Sequence, residues 1–170
     1  KYGLRFARLS DEVQKLGNTD FALISQLSVE LLEEEGKDLR VLGFLCLGEL
    51  HQRGLAGFAA GLAAVRGVVE GFADSLYPQR EQGRYRALEW LANKRVVAFL
   101  KGACVDCSAS ELEHAIAALA ELETALACHF ADPPALRQLR ECMEQHLQSS
   151  CAAPGRELQI AEELAAYSTL

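Results

Sequence analysis

Nowhere does this sequence alternate apolar and polar residues over the length of a strand, and that absence excludes a sheet-built fold. Proline is scarce. Pro78, Pro133, Pro134 and Pro154 are the four, each placed where a helix would end or begin. Aromatic residues are only 7% of the chain, which leaves Leu and Ala, with Glu and Arg, to dominate it. Positive charge is in deficit: 17 Lys and Arg stand against 24 Asp and Glu, a net charge of -7. Non-specific binding to nucleic acid or to anionic lipid works by neutralising phosphates with Lys and Arg, so neither partner is expected. Protein partners are the expectation that remains.

Catalytic signatures are missing as well. There is no GxGxxG after a strand, no GxxxxGK followed by Ser or Thr, no HExxH and no GxSxG. No enzyme activity, cofactor or resident metal is therefore expected. The chain opens at Lys1, without a basic stretch leading into an apolar run and a small-residue cleavage site. It reads as an excised piece of a longer cytoplasmic protein.

What the sequence does have is helical composition and helical periodicity. Half of it is apolar, and Ala, Leu, Glu and Arg lose least on entering a helix. At 170 residues it can bury about two thirds of its unfolded surface, so neither metal nor disulfide is needed to hold it. A first helix is expected over 4–16, with Leu9, Val13 and Leu16 inward. Asp20 starts a second, with Phe21, Ile24, Leu27 and Leu31 inward, and its acidic end at Glu33, Glu34 and Glu35 opposes the helix dipole.

Asp38 opens a third helix, apolar nearly all round and so central, which runs to Gly54. The fourth, 55–76, carries Gly57 and Gly61, then Gly67 and Gly71, spacings that clear a face for close helix approach. Arg66, Glu70 and Asp74 interrupt it, against a membrane span. A fifth helix runs from beyond Gly83 to Leu100, and 102–107 is a connector. Ser108 and Glu111 form a capping box for a sixth. Asp132 and Pro133 initiate a seventh through Leu136, Leu139, Met143 and Leu147, and a last helix follows Pro154 and Gly155. The fold class is all-α: a bundle of seven or eight mostly antiparallel helices joined by short loops.

Six cysteines raise the alternative of a helical metal- or thiol-dependent regulatory domain. Cys104 and Cys107 form a CxxC, and Cys142 and His146 lie four apart on one helix face, a spacing that can chelate zinc. Cys128, His129 and Cys151 could add ligands. Against this, the two pairs are far apart in sequence and no thioredoxin-like strand precedes the CxxC. Reduced thiols are the plainer reading, with Cys46 a small core residue. Glu49 with His51 reads as an exposed, uncoupled pair, and His114 has charged neighbours and no nucleophile nearby.

Three motifs follow one another in the middle of the chain. Lys37, Asp38, Leu39 and Arg40 come first. Gly54, Leu55 and Gly57, with Gly61 and Leu62, are second, and Phe72 to Asp74 leading into Leu76, Tyr77 and Pro78 are third. Arg86, Trp90 and Leu91 then form an Arg-x-x-x-Trp-Leu element. Their order and spacing, from Asp20 to Leu100, resemble the N-terminal domain of the TssA (ImpA) family of type VI secretion systems. The chain departs from that pattern at Phe21 and Ala73, where the family often carries Trp, as a divergent or accessory branch would.

The resemblance implies a TssA/ImpA-type helical region over 1–103; residues 104–170, which the resemblance does not reach, read as additional helices packed on it or a helical extension. It implies a non-catalytic, cytoplasmic interaction domain serving baseplate and contractile sheath assembly. Its partners would be type VI baseplate, sheath or membrane-complex subunits, and oligomerisation would fall to a C-terminal domain absent here. The motif residues themselves read as structural. Asp38 caps a helix, and Arg40 holds a carboxylate or a neighbouring helix end. Gly54 ends a helix, Gly57 and Gly61 permit close approach, and Pro78 ends another. Recognition would fall to whichever of them are exposed.

Overall fold

The computed structural model describes residues 3–151. Helix α1, Leu4–Gln14, buries Leu9 and Val13. It stops two residues short of the expected end, because Lys15 takes a ψ of 134°. Leu16 therefore swings out and is fully exposed, contrary to its expected place on the inner face. Helix α2, Phe21–Glu34, starts where Asp20 accepts a hydrogen bond from the Leu23 N–H at 2.9 Å. Ile24, Leu27 and Leu31 face the core, while Glu33, Glu34 and Glu35 are exposed.

The central element α3, Leu39–Phe72, is two helical arms joined without a loop at Gly54, whose φ of 60° and ψ of -142° only glycine adopts comfortably. Beyond this point the chain returns along its own path. A Cβ on Gly61 would sit 2.8 Å from Cys46 Sγ, and one on Gly57 would overlap the Glu49 carbonyl oxygen. Residues so far apart along one straight helix could not meet. The two arms of α3 therefore lie antiparallel in close contact, with Gly57 and Gly61 on the seam. Gly67 and Gly71 share the same spacing but have nothing within 4 Å of a Cβ, so for them close approach was the wrong expectation.

By length and composition alone Leu39–Ser75 would suit a membrane crossing. Here the reversal at Gly54 splits it, and Cys46, Leu47, Phe58 and Leu62 are fully buried against the other helices.

After a tight turn at Ala73–Ser75, α4 spans Glu81–Glu89 and α5 spans Lys94–Val105. The expected fifth helix is thus two, broken by a single turn at Trp90–Ala92. Asn93 restarts the chain, accepting from the N–H groups of Arg95 and Val96 at 2.8 and 2.9 Å. Because α5 continues to Val105, the expected connector over 102–107 shrinks to its last residues.

Helix α6, Ala109–His129, has the expected capping box between Ser108 and Glu111. Helix α7, Arg137–Cys151, begins five residues after Asp132 rather than at it. A proline disfavours helical geometry in the residue before it, so Pro134 opposes a helix that includes Pro133, and 133–136 are not helical. Leu136 instead supplies the first carbonyl, accepting from Leu139.

Helix α6 packs along α3, α2 covers α3 from another side, and α7 lies across α5 and α6. One continuous core joins them, with Leu62 of α3, Leu119 of α6, Leu100 of α5 and Met143 of α7 all fully buried. Each such side chain contributes about 2 kcal/mol of burial, so the seam between α3 and α6 is a main source of stability. The class is all-α. With α4 and α5 counted as the one expected helix and the two arms of α3 as one element, six helices are present among the described residues. Seven or eight is slightly high on that count: the expected third and fourth helices do part at Gly54 but join there without a loop, and the last expected helix, after Gly155, lies outside the described residues.

Candidate interaction site

Two of the sequence motifs meet at the open end of the α3 hairpin. The Tyr77 N–H donates to the Lys37 carbonyl and the Leu39 N–H donates to the Tyr77 carbonyl, both at 2.9 Å. This is a one-residue parallel bridge between Asp38 and Tyr77, the only strand-like pairing among the described residues. Asp38 is buried and caps α3 through the Arg40 N–H at 2.9 Å. The Arg40 guanidinium closes onto the same carboxylate, at 3.1 and 2.5 Å, and lies 4.8 Å above the Phe6 ring. Leu39 and Leu76 are buried beneath the bridge.

The turn that follows is fixed by a residue the sequence reading passed over. Arg84, on α4, donates to the carbonyls of Pro78, Leu76 and Ala73 at 2.9, 3.0 and 3.2 Å. One planar guanidinium thus satisfies three carbonyl groups of the turn that follows α3. The Tyr77–Pro78 bond is cis. Gly83 lets α4 pack against Pro78, which would lie 2.8 Å from a Cβ there.

The turn braced by these hydrogen bonds presents aromatic surface. Tyr77 is 42% exposed and Phe72 45% exposed. The Tyr77 ring lies over Gly36, and the Lys37 ammonium sits 5.4 Å from the Phe72 ring centre while donating to the Leu32 carbonyl. Tyr77 borders two grooves. One, of about 580 Å³, is lined by Phe6, Leu31, Val41, Glu35 and Asp38. The other, of about 450 Å³, is lined by Pro78, Arg80, Gly83 and Arg86. An exposed aromatic thus stands between a mainly apolar hollow edged by Glu35 and a basic one.

The remaining motif residues lie elsewhere. Gly54 is at the closed end of the hairpin, one arm or about 22 Å of helix away from Asp38. Leu55 and Leu62 are core residues. Trp90 is half-buried, edge-on to Phe44 at 5.1 Å, and its ring meets the backbone of Gly43. Arg86 is exposed. Glu49 pairs with Arg53 at 2.9 Å and His51 stacks on Phe21 at 3.7 Å, so these two do not couple with each other.

Of the thiols and imidazoles, Cys104, Cys142 and His146 come together. Cys107 donates instead to the Cys104 carbonyl, and Cys128 and His129 are exposed on α6. The Cys151 side chain lies outside the described residues. Cys46 is enclosed in the hairpin, and burial pushes its thiol up to about 12.

Fold and site together define an all-helical scaffold domain that displays a braced aromatic turn on its surface. Its sequence matches the family described as ImpA, N-terminal, type VI secretion system, over residues 2–93. The chain belongs to that family. No curated protein sequence matches it. Among solved structures it is similar to the N-terminal domain, including the conserved ImpA_N region, of the TssA component of the type VI secretion system from Burkholderia cenocepacia. The TM-score is 0.70 at 17% identity, covering 87% of this chain and 86% of that one, a likeness of fold.

Proposed function

We propose that this chain is a non-catalytic, cytoplasmic interaction domain of a TssA-like protein, docking onto type VI subunits while baseplate and contractile sheath assemble. The single observation carrying this reading is the braced turn. Backbone pairing with Lys37 and Leu39, together with the Arg84 clamp, holds Tyr77 exposed beside Phe72. A pre-set aromatic loses little side-chain freedom on binding, and aromatic anchors dominate protein interfaces. The grooves beside it would receive apolar and charged groups of a partner. Residues 1–103 would be the family region carrying this surface, and the helices from 104 onward its support.

The test is capture of the complete set of baseplate, sheath and membrane-complex subunits by the full chain, compared with a Phe72→Ala, Tyr77→Ala variant. Both rings are nearly half exposed and the backbone bonds of the turn remain, so the variant keeps its helical fold, which its far-ultraviolet circular dichroism checks. It should bind the captured subunit at least about tenfold more weakly, as loss of an interface anchor does. Capture of no subunit by the unaltered chain would sink the reading, and so would equal capture by the variant.

A further inference from the structure

The interface of α5 and α7 holds a cluster that the scaffold role does not use. Cys104 comes from α5, while Cys142 and His146, one turn apart, come from α7. One ligand-type atom of each lies within 4.8 Å of the other two. Cys104 and Cys142 are each only 4% exposed and His146 is half-buried. Two thiols and an imidazole from opposite sides of a helix contact form an unusual set for a core that elsewhere uses leucine. We propose that Cys104, Cys142 and His146 form a zinc site that fastens α7 to α5.

The chemistry of the donors supports this choice of ion. Thiolate and imidazole together select zinc over hard cations such as calcium and magnesium. Ligand atoms around a tetrahedral zinc stand about 3.5–3.8 Å apart, given bonds of about 2.0–2.3 Å. Reaching that from separations within 4.8 Å asks only for small side-chain rotations.

The histidine is already oriented. Its Nδ1 lies 2.8 Å from the Cys142 carbonyl oxygen. A carbonyl can only accept, so Nδ1 carries the proton and Nε2 keeps the lone pair a metal needs. Backbone fixing of one ring nitrogen is the usual support for a metal ion held by the other.

Zinc takes cysteine as thiolate and histidine as neutral imidazole, so binding displaces the thiol protons to solvent and weakens as pH falls.

The experiment uses the full chain, reduced and stripped of metal, titrated with cobalt(II) and then zinc(II). The expected result is a sulfur-to-cobalt charge-transfer band saturating at one equivalent, displaced by zinc, with a rise in the unfolding midpoint. His146→Gln, at a half-buried position that does not threaten folding, and Cys142→Ser should each weaken binding at least about tenfold, the scale of losses in metal-site variants. Cys128→Ser, on exposed α6 surface, should leave binding unchanged. Absence of the band in the folded chain would overturn the proposal, as would a band that survives in both His146→Gln and Cys142→Ser. So would a cysteine pair that takes up no cobalt while reduced and only cross-links on oxidation.

Discussion

Arg84 reaches across the end of α3 and places its Nε 2.9 Å from the Pro78 carbonyl oxygen, with its two terminal nitrogens on the carbonyls of Ala73 and Leu76. The turn bearing Tyr77 is therefore held from one side by its bridge to Asp38 and from the other by this fork. Replacing Arg84 with Ala strands three carbonyl groups and should cost about 2 kcal/mol, since bonds from a charged donor count for more than neutral ones. Arg84→Lys should recover little, because an ammonium lacks the planar fork that meets several acceptors at once. Urea unfolding of the two variants checks this, and a fully stable Arg84→Lys chain would contradict it.

The glycines of α3 divide into two kinds that alanine can separate. Gly57→Ala drives a methyl into the Glu49 backbone, and Gly61→Ala drives one against Cys46, both on the tight seam of the hairpin. Each should destabilise by about 3 kcal/mol, the upper range for overpacking a closed core. Gly67→Ala meets nothing within 4 Å and should stabilise by up to about 1 kcal/mol, through helix propensity alone. Thermal midpoints moving in opposite directions are the expected outcome.

That contrast shows what was legible and what was not. Gly57–Gly61 and Gly67–Gly71 carry identical spacing, and spacing is local information. Whether a second helix lies over it is decided by the chain reversal at Gly54, which the sequence marks, and by where the returning arm lands, which it does not. Local devices read correctly: the Asp20 cap and the Ser108–Glu111 box involve residues three apart. The apolar pattern runs on across Asn93, so the sequence predicts one helix where α4 and α5 are two.

The site followed the same rule. Asp38, Tyr77 and Pro78 stand out as motif residues, yet nothing in their spacing says that Lys37 and Tyr77 pair through their backbones. Arg84 binds only carbonyl groups, which every residue carries, so no partner residue could have pointed to it. Cys104 and Cys142 are brought together by the packing of α7 on α5, across a sequence gap too long to read as a metal motif.

Ser28 on α2 is fully buried, and its hydroxyl has no hydrogen-bond partner in the described structure. Desolvating a hydroxyl without replacing its bonds opposes folding, and serine is a poorer helix former than alanine. Ser28→Ala should therefore stabilise the chain by about 1 kcal/mol. A lower urea midpoint in that variant would mean the hydroxyl is satisfied in solution.

The acid limb of stability should trace in part to Glu12, near the end of α1. Its carboxylate is nearly buried and accepts from the Asp20 N–H at 2.8 Å and from the Lys15 ammonium at 2.6 Å. It thereby ties the end of α1 to the start of α2. The backbone bond from Asp20, then the bond from Lys15, hold the carboxyl below its ordinary value of 4.5. A group depressed on folding contributes fully above its unfolded value, and that contribution fades as pH falls through the lower folded one. Glu111, whose carboxylate accepts from the Ser108 N–H and hydroxyl, is depressed in the same direction and adds to the trend. Urea midpoints measured from neutral pH down past 4.5 should drop more steeply for the unaltered chain than for Glu12→Gln. The variant should start lower at neutral pH, because its amide cannot give Lys15 and Asp20 the same charged acceptor. Curves that stay parallel throughout the acid range would show that Glu12 is not the titrating link between these helices.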